Sequence, residues 1–220
     1  PGIRFLDEYR PLGTATSAPD EFRREHTLDR WSEAVAASLL DALTIPGVDK
    51  ARVLVAGHSE GALVACRVAA EVPSVTHVAP LSSGGLTQLF SLMQLARLES
   101  ETKVAEVLTG WQAVAKDPEN FNSIWMGHPY RRWSSFLASS CLQELPKNPR
   151  AAIYMAHGTE DKASAIQASD ALYASLLASG RSVTYERMEA ADHGLQFKSQ
   201  PDRNGLAEVF ERISDWFALQ

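Results

Sequence analysis

Short apolar runs occur at intervals along the chain and have the length and composition of β-strands. They lie at 3–9, 51–57, 75–81, 150–158 and 182–188. Most are bounded by glycine, proline or small polar residues, which favour turns. The sequence therefore predicts strands in these places.

Between the runs, apolar residues recur at the spacing of amphipathic helices. The stripes are Leu28, Trp31, Val35 and Leu39, with Thr27 as a candidate N-cap; the alanine-rich segment after residue 61; Ile166 to Leu177, ended by Gly180; and Leu206 to Phe217. Strands that alternate with helices predict an α/β protein with a mostly parallel sheet and flanking helices. We expect one domain over 1–220, in which 86–146 breaks the alternation as a helical insertion.

Composition narrows the class of protein without choosing a substrate. The 220 residues are 45% hydrophobic and 22% charged, which is ordinary for a globular domain. A net charge of −6 and the lack of a basic run argue against a nucleic-acid partner. No apolar run approaches the ~20 residues of a membrane span. The first residues do not have the form of a signal peptide and lack an initiating Met, so we expect a processed or trimmed chain.

Cys66 and Cys141 are the only cysteines. Neither lies in a CxxC or histidine-rich pattern, so the sequence predicts no metal site and no disulfide framework. We expect two buried free thiols.

The segment GHSEG at 57–61 fits G-x-S-x-G between an apolar strand and an alanine-rich helix. On such a turn Ser59 adopts a strained conformation, and we expect both flanking glycines to relieve the crowding. The hydroxyl then projects above the sheet edge, and the amide end of the following helix faces any developing oxyanion. The alternative is a glycine-rich turn with an idle serine.

A nucleophilic serine needs a base, and the base needs an orienting carboxylate. His193 lies in the loop after the last strand, at the same end of a parallel sheet as Ser59, and is our candidate base. The other histidines have more ordinary interpretations: His58 in the turn, His77 inside a strand, His26 before a helix, His128 in the insertion, and His157 as support for a loop.

Asp161 is the candidate acid, 32 residues before His193, because that interval holds one helix and one strand. Glu160 is the alternative. Either carboxylate could instead cap a helix that starts near Ala163. Asp192 ranks low because adjacent side chains in an extended loop diverge.

GHSEG, HGTED and ADHG, each placed after a strand, resemble the α/β-hydrolase family, whose nucleophile, acid and base follow in this order. The resemblance covers essentially all of 3–220. It implies Ser59 as nucleophile, Asp161 as acid and His193 as base, with the Glu60 amide as one oxyanion donor. It also implies acyl-enzyme hydrolysis of esters, amides or thioesters, with no cofactor and no metal.

Near the N-terminus the sequence differs from the pattern of the family that it resembles. Family members have strands before the one that 3–9 resembles, and one of them ends in a loop that supplies the second oxyanion donor. We therefore expect an N-terminally truncated fold. In it, 3–9 pairs directly with 52–56, or the sheet is completed by a homo-oligomer or a missing N-terminal segment. A backbone amide in 11–17 is a candidate substitute for the second donor.

Family insertions at 86–146 form a helical lid, and aromatic residues there are candidates to line a substrate pocket. We single out Trp125, Tyr130 and Trp133, although most such aromatics serve packing. Arg131 and Arg132 could receive a carboxylate or phosphate, but a solvated face is the commoner role.

The sequence therefore predicts a serine hydrolase of carboxylesterase type that acts on a small-molecule acyl substrate. The alternatives are a peptidase or acyl-thioesterase with the same triad, or a non-catalytic hydrolase-fold fragment or binding protein. A nucleotide-dependent dehydrogenase is disfavoured because no G-x-G-x-x-G opens a helix after a strand.

Overall fold

The structure is a computed structural model that describes residues 18–83 and 85–219. The strand expected at 3–9 and the substitute donor expected in 11–17 lie outside these residues. So does the expected pairing of 3–9 with 52–56.

A four-stranded parallel sheet forms the centre of the described chain. Its strands are β1 (Leu54–His58), β2 (His77–Leu81), β5 (Ala152–Gly158) and β6 (Val183–Met188), hydrogen-bonded in the order β1-β2-β5-β6. Each lies within or at the end of a run that the sequence predicted. The predicted α/β architecture with a mostly parallel sheet is thus confirmed.

Helices cover both faces of the sheet because alternate strand residues point to opposite sides. Val78, Ile153 and Met155 face α3 (Glu60–Glu71) and α8 (Ile166–Ala178). Ala79, Tyr154 and Ala156 face α9 (Gly205–Leu219), which packs through Val209 and Ile213. The two faces therefore bury two separate apolar clusters.

Two further helices precede the sheet. They are α1 (Asp20–Glu25) and α2 (Leu28–Ala42), and α2 packs on α3. The hydroxyl of Thr27 accepts a hydrogen bond from the Arg30 amide at 3.4 Å, so the predicted N-cap of α2 is present.

The segment between β2 and β5 is mostly helical. It contains α4 (Gln88–Arg97), α5 (Glu101–Lys116), α6 (Tyr130–Leu137), α7 (Cys141–Glu144) and a 3₁₀ turn (Leu145–Lys147), with a small hairpin of β3 (Ile124–Trp125) and β4 (His128–Pro129). The side chains of Thr87, Ser100 and Ser140 each accept an amide three residues on, which fixes where α4, α5 and α7 begin. The division of the chain into a body and a lid remains a prediction.

The expectation of two free thiols is wrong. Cys66 on α3 and Cys141 on α7 form a disulfide with their Cα atoms 5.4 Å apart, and both residues are fully buried. The two positions are 75 residues apart in the chain, and the packing of α7 on α3 brings them together. Nothing in the local sequence around either cysteine carries that information.

Within the described ranges no helix has the length and apolar character needed to cross a membrane.

Candidate active site

Ser59 lies on the turn between β1 and α3 with a φ of 58° and a ψ of −124°. A non-glycine residue with positive φ is strained by roughly 1–3 kcal/mol and persists only where its surroundings enforce it. Here the Ser59 amide donates to the carbonyl oxygen of Leu81 at 2.9 Å, which ties the turn to the end of β2.

The two glycines of the turn have different roles. A Cβ at Gly57 would lie 1.9 Å from the backbone oxygen of Gly61, so position 57 admits only glycine without a backbone shift. A Cβ at Gly61 would meet no atom of the described residues within 4 Å outside its own stretch of helix. The expectation that both glycines relieve crowding therefore holds for Gly57 alone.

The structure brings together the three side chains that the sequence singled out. His193 Nε2 lies 2.9 Å from Ser59 Oγ, and His193 Nδ1 lies 2.8 Å from Asp161 Oδ2. These are ordinary hydrogen-bond lengths. Since a carboxylate only accepts hydrogen bonds, Nδ1 donates to Asp161, and in the neutral ring Nε2 is left to accept from the Ser59 hydroxyl.

The loop that carries His193 is held from two sides. Asp192 Oδ1 accepts the amides of Gly194 and Gln196 at 2.9 and 3.0 Å, and His58 Nε2 contacts the His193 carbonyl oxygen at 2.7 Å. Asp192 therefore shapes the loop instead of contacting the imidazole. This agrees with its low rank as a candidate acid.

Asp161 forms hydrogen bonds through both carboxylate oxygens. Oδ1 accepts the amides of Ala163 and Ser164 at 2.7 and 2.8 Å, and Oδ2 faces both His193 and His157. Burial opposes ionisation, but the hydrogen bonds from His157, His193 and the two amides outweigh it and hold the pKa of Asp161 well below its usual range.

The helix after Asp161 begins at Ile166, so Asp161 closes a turn before the helix and contacts His193 as well. The neighbouring Glu160, the alternative acid, is exposed, and its amide donates to the Ala191 carbonyl at 2.9 Å.

His157 is a member of the site that sequence reasoning placed only as loop support. It is fully buried at the end of β5, and its Nε2 lies 3.0 Å from Asp161 Oδ2. The one signal in the sequence is its position four residues before Asp161, and that spacing does not reveal which way the ring points.

Glu60 opens α3 directly after Ser59. Its amide forms no hydrogen bond with the described part of the chain, whereas the Ser59 and Ala62 amides donate to Leu81 and Ser59. A helix leaves its first amides without intrahelical partners, so among the described residues the Glu60 N–H, next in sequence to Ser59, has no acceptor.

Arg132 does not lie on a solvated face. It is 1% exposed and forms an ion pair with Glu60 Oε1, which also accepts Gln88 Nε2 at 3.1 Å. Its guanidinium lies over the rings of Trp133 and Phe136 at 4.7 and 4.8 Å. Burial lowers the pKa of Arg132 to about 10, which leaves it charged at neutral pH. Arg131 instead pairs with Glu119 and with the Arg24 carbonyl oxygen.

A cavity of about 570 Å³ opens beside Ser59 and His193. Its walls are largely apolar, and besides Ser59 and His193 the polar residues on them are His58, Glu60, Ser83, Gln88, Ser91 and Ser164. The apolar residues that line it include Trp31, Val35, Val64, Leu92, Trp133 and Phe136.

Of the three predicted pocket aromatics, Trp133 lies on the cavity wall. Trp125 and Tyr130 do not line it but pack against the cluster of Val114, Trp133 and Leu137, and the Trp125 carbonyl accepts the Trp133 indole N–H. The positions of Trp125 and Tyr130 therefore argue against direct substrate contact. Among the described residues, no group of three or more His, Cys, Asp or Glu side chains forms a metal site.

The fold and the site together define a class of protein, and comparisons with known proteins agree with it. The profile of the Alpha/beta hydrolase family matches residues 9–203. The chain belongs to this family. No protein with a curated function matches it by sequence.

Solved structures with the same fold include Est1E and two peptidases. Est1E from Butyrivibrio proteoclasticus is 16% identical, with a TM-score of 0.59 over 88% of this chain and 71% of that one. Dipeptidyl peptidase 4 from Porphyromonas gingivalis is 13% identical, with a TM-score of 0.58 over 90% of this chain and 24% of that one. The acylaminoacyl peptidase of Pyrococcus horikoshii is 13% identical, with a TM-score of 0.57 over 92% and 29%. This chain thus spans most of Est1E and under a third of each peptidase.

Proposed function

We propose that this hydrolase cleaves carboxylic esters through a catalytic triad of Ser59, His193 and Asp161. The observation that carries the proposal is the unbroken hydrogen-bond chain from Ser59 Oγ through His193 to Asp161 Oδ2, with steps of 2.9 and 2.8 Å. This chain ends at a cavity that is large enough for a small acyl substrate.

The geometry fits a two-stage acyl transfer. His193 Nε2 takes the proton of Ser59 as Oγ attacks the carbonyl carbon, and Asp161 stabilises the resulting imidazolium. The Glu60 amide donates to the oxyanion of the tetrahedral intermediate. The intermediate collapses, and the leaving alcohol takes the proton from His193. Water then attacks the acyl-enzyme by the same route in reverse, which releases the acid and restores Ser59.

The cavity supports an apolar acyl group. Trp133, Phe136 and Leu92 lie on its wall, and such surfaces gain free energy when they are removed from water. A peptidase or acyl-thioesterase would use the same triad, so the leaving group is a separate question.

A fluorophosphonate probe tests whether Ser59 is the nucleophile. We expect it to label the native protein and to leave Ser59→Ala unlabelled, with both proteins equally folded by circular dichroism. A well-folded native protein that shows no Ser59-dependent labelling would refute the enzymatic proposal and favour a binding protein with the same fold.

A panel of p-nitrophenyl esters of increasing chain length, run beside an aminoacyl p-nitroanilide and an acyl-thioester, tests the substrate class. We expect kcat/KM to be highest for an ester of short or medium apolar chain. A preference for the anilide or the thioester would replace the esterase assignment while leaving the triad in place.

A further inference from the structure

His157 is a fully buried histidine that the mechanism above does not use. It lies next to the last residue of β5 and meets three polar groups from the loop and helix that follow. Its Nδ1 lies 2.7 Å from Ser169 Oγ on α8. Its Nε2 lies 3.0 Å from Asp161 Oδ2 and 3.3 Å from the Ser164 carbonyl oxygen.

These contacts fix which ring nitrogen carries hydrogen. An ionised carboxylate and a backbone carbonyl can only accept hydrogen bonds, so Nε2 must be the donor. In the neutral ring Nδ1 is then an acceptor, and the Ser169 hydroxyl supplies its hydrogen. The neutral imidazole with hydrogen on Nε2 is therefore satisfied at both nitrogens, as a fully buried ring requires.

The carboxylate of Asp161 is thereby held at both oxygens. Two backbone amides donate to Oδ1, His193 Nδ1 donates to Oδ2, and His157 Nε2 lies 3.0 Å from the same Oδ2. Without His157, Oδ2 would have His193 as its sole partner among the described residues. The carboxylate could then turn about its χ2 bond away from the line that joins it to His193 Nδ1.

We propose that His157 is a positioning residue for the Asp161–His193 pair, an inference that rests on the proposed function. Its neutral ring donates to Asp161 Oδ2 and keeps this oxygen on the axis of His193 Nδ1. A neutral donor has an advantage over a lysine or arginine in this place. It orients the carboxylate without adding a positive charge that would oppose formation of the His193 imidazolium during acylation.

Two substitutions of His157 distinguish a role in orienting Asp161 from a role in packing alone. His157→Leu removes the donor, and His157→Gln retains an N–H near the position of Nε2. With p-nitrophenyl butyrate, we expect His157→Leu to lower kcat by about 10- to 100-fold, the range found for outer-shell partners of metal ligands. KM should change less than about twofold, because His157 does not reach the cavity. We expect His157→Gln to recover most of the loss.

A double-mutant cycle with Asp161→Asn tests whether His157 acts through Asp161. If it does, His157→Leu should have almost no further effect in the Asp161→Asn background, because the carboxylate is already gone. An equal loss of kcat in both backgrounds would overturn the proposal, and so would a loss that merely follows the folded fraction.

A third variant serves if His157→Leu does not fold. Ser169→Ala keeps the ring but removes the hydroxyl that fixes its tautomer, and we expect a drop in kcat of about 3- to 10-fold, in line with one lost hydrogen bond. An unchanged kcat in a folded Ser169→Ala protein would contradict the proposal.

Nitrogen-15 NMR of labelled histidines shows which ring nitrogen of His157 carries hydrogen, and this measurement does not depend on enzymatic activity. We expect His157 to show a protonated Nε2 and an unprotonated Nδ1 at pH 7.5. A cationic ring or hydrogen on Nδ1 would overturn the assignment whatever the activity. If this signal is present but labelling at Ser59 fails, the proposed function is refuted and the positioning role falls with it, while the hydrogen-bond assignment stands.

Discussion

His58 Nε2 lies 2.7 Å from the backbone carbonyl oxygen of His193, across 135 residues of sequence. Because a carbonyl only accepts, His58 donates with hydrogen on Nε2. The residue before the candidate nucleophile therefore holds the backbone of the candidate base. The turn that carries Ser59 and the loop that carries His193 are thus joined directly.

We expect His58→Leu to lower kcat by roughly 5- to 10-fold, since the substitution removes a hydrogen bond worth about 1 kcal/mol from the loop that places His193. His58→Gln, which retains a donor, is the control. Steady-state kinetics on a p-nitrophenyl ester and a thermal melt measure both effects. Equal activity of the Leu variant and the native protein would show that the loop needs no such support.

Gly57 and Gly61 form a matched pair for a test of the turn. Gly57→Ala places a methyl group 1.9 Å from a backbone oxygen, so we expect the free energy of unfolding to fall by about 3 kcal/mol or more.

The added Cβ of Gly61→Ala meets no described residue outside its own stretch of helix, and within a helix alanine is the better helix former by about 1 kcal/mol. We therefore expect Gly61→Ala to be neutral or stabilising. Urea denaturation measures both variants, and equal destabilisation of the two would contradict the packing described for this turn.

The stability of the folded protein depends on pH through His26. Burial, with smaller contributions from positively charged Arg132 and from His128, lowers the pKa of His26 from 6.5 to about 3. The folded state therefore keeps His26 neutral between pH 6.5 and 3, while the unfolded chain takes up a proton there. Stability contributed by the neutral ring is present above pH 6.5 and is lost as the pH falls.

The His26→Phe variant removes this titration and keeps an aromatic ring beside Phe22, Trp31 and Phe136. Between pH 7 and 4.5, we expect the native protein to lose about 2 kcal/mol more stability than the variant. Urea denaturation at both pH values measures the difference. Parallel losses would mean that His26 is accessible to protons in the folded state.

The Cys66–Cys141 disulfide closes a long loop of chain, because the two cysteines are 75 positions apart in the sequence. In the chain-entropy account such a crosslink contributes about 4 kcal/mol by restricting the unfolded state. We expect dithiothreitol to lower the free energy of unfolding of the native protein by about that amount. The double variant Cys66→Ala/Cys141→Ala should not respond to the reductant. Two titratable thiols in the denatured, unreduced protein would contradict the bond.

The sequence by itself located the elements and the three candidate catalytic residues. A strand, a turn and a helix have distinct local patterns of apolar, glycine and polar residues. In a parallel sheet every such turn also opens at the same edge. Ser59, Asp161 and His193 each follow a predicted strand, so their meeting follows from topology, and their hydrogen bonds agree with it.

Only the tertiary structure decided the contacts that depend on how helices and loops pack. Three contacts could not be predicted from the local sequence around either partner. They are the orientation of His157 toward Asp161, the disulfide between α3 and α7, and the burial of Arg132 against Glu60. Trp133 and Trp125 are equally aromatic in the sequence, yet one lies on the cavity wall and the other packs behind it. Periodicity fixes which face of an element is apolar, whereas side-chain packing in three dimensions fixes which partner that face meets.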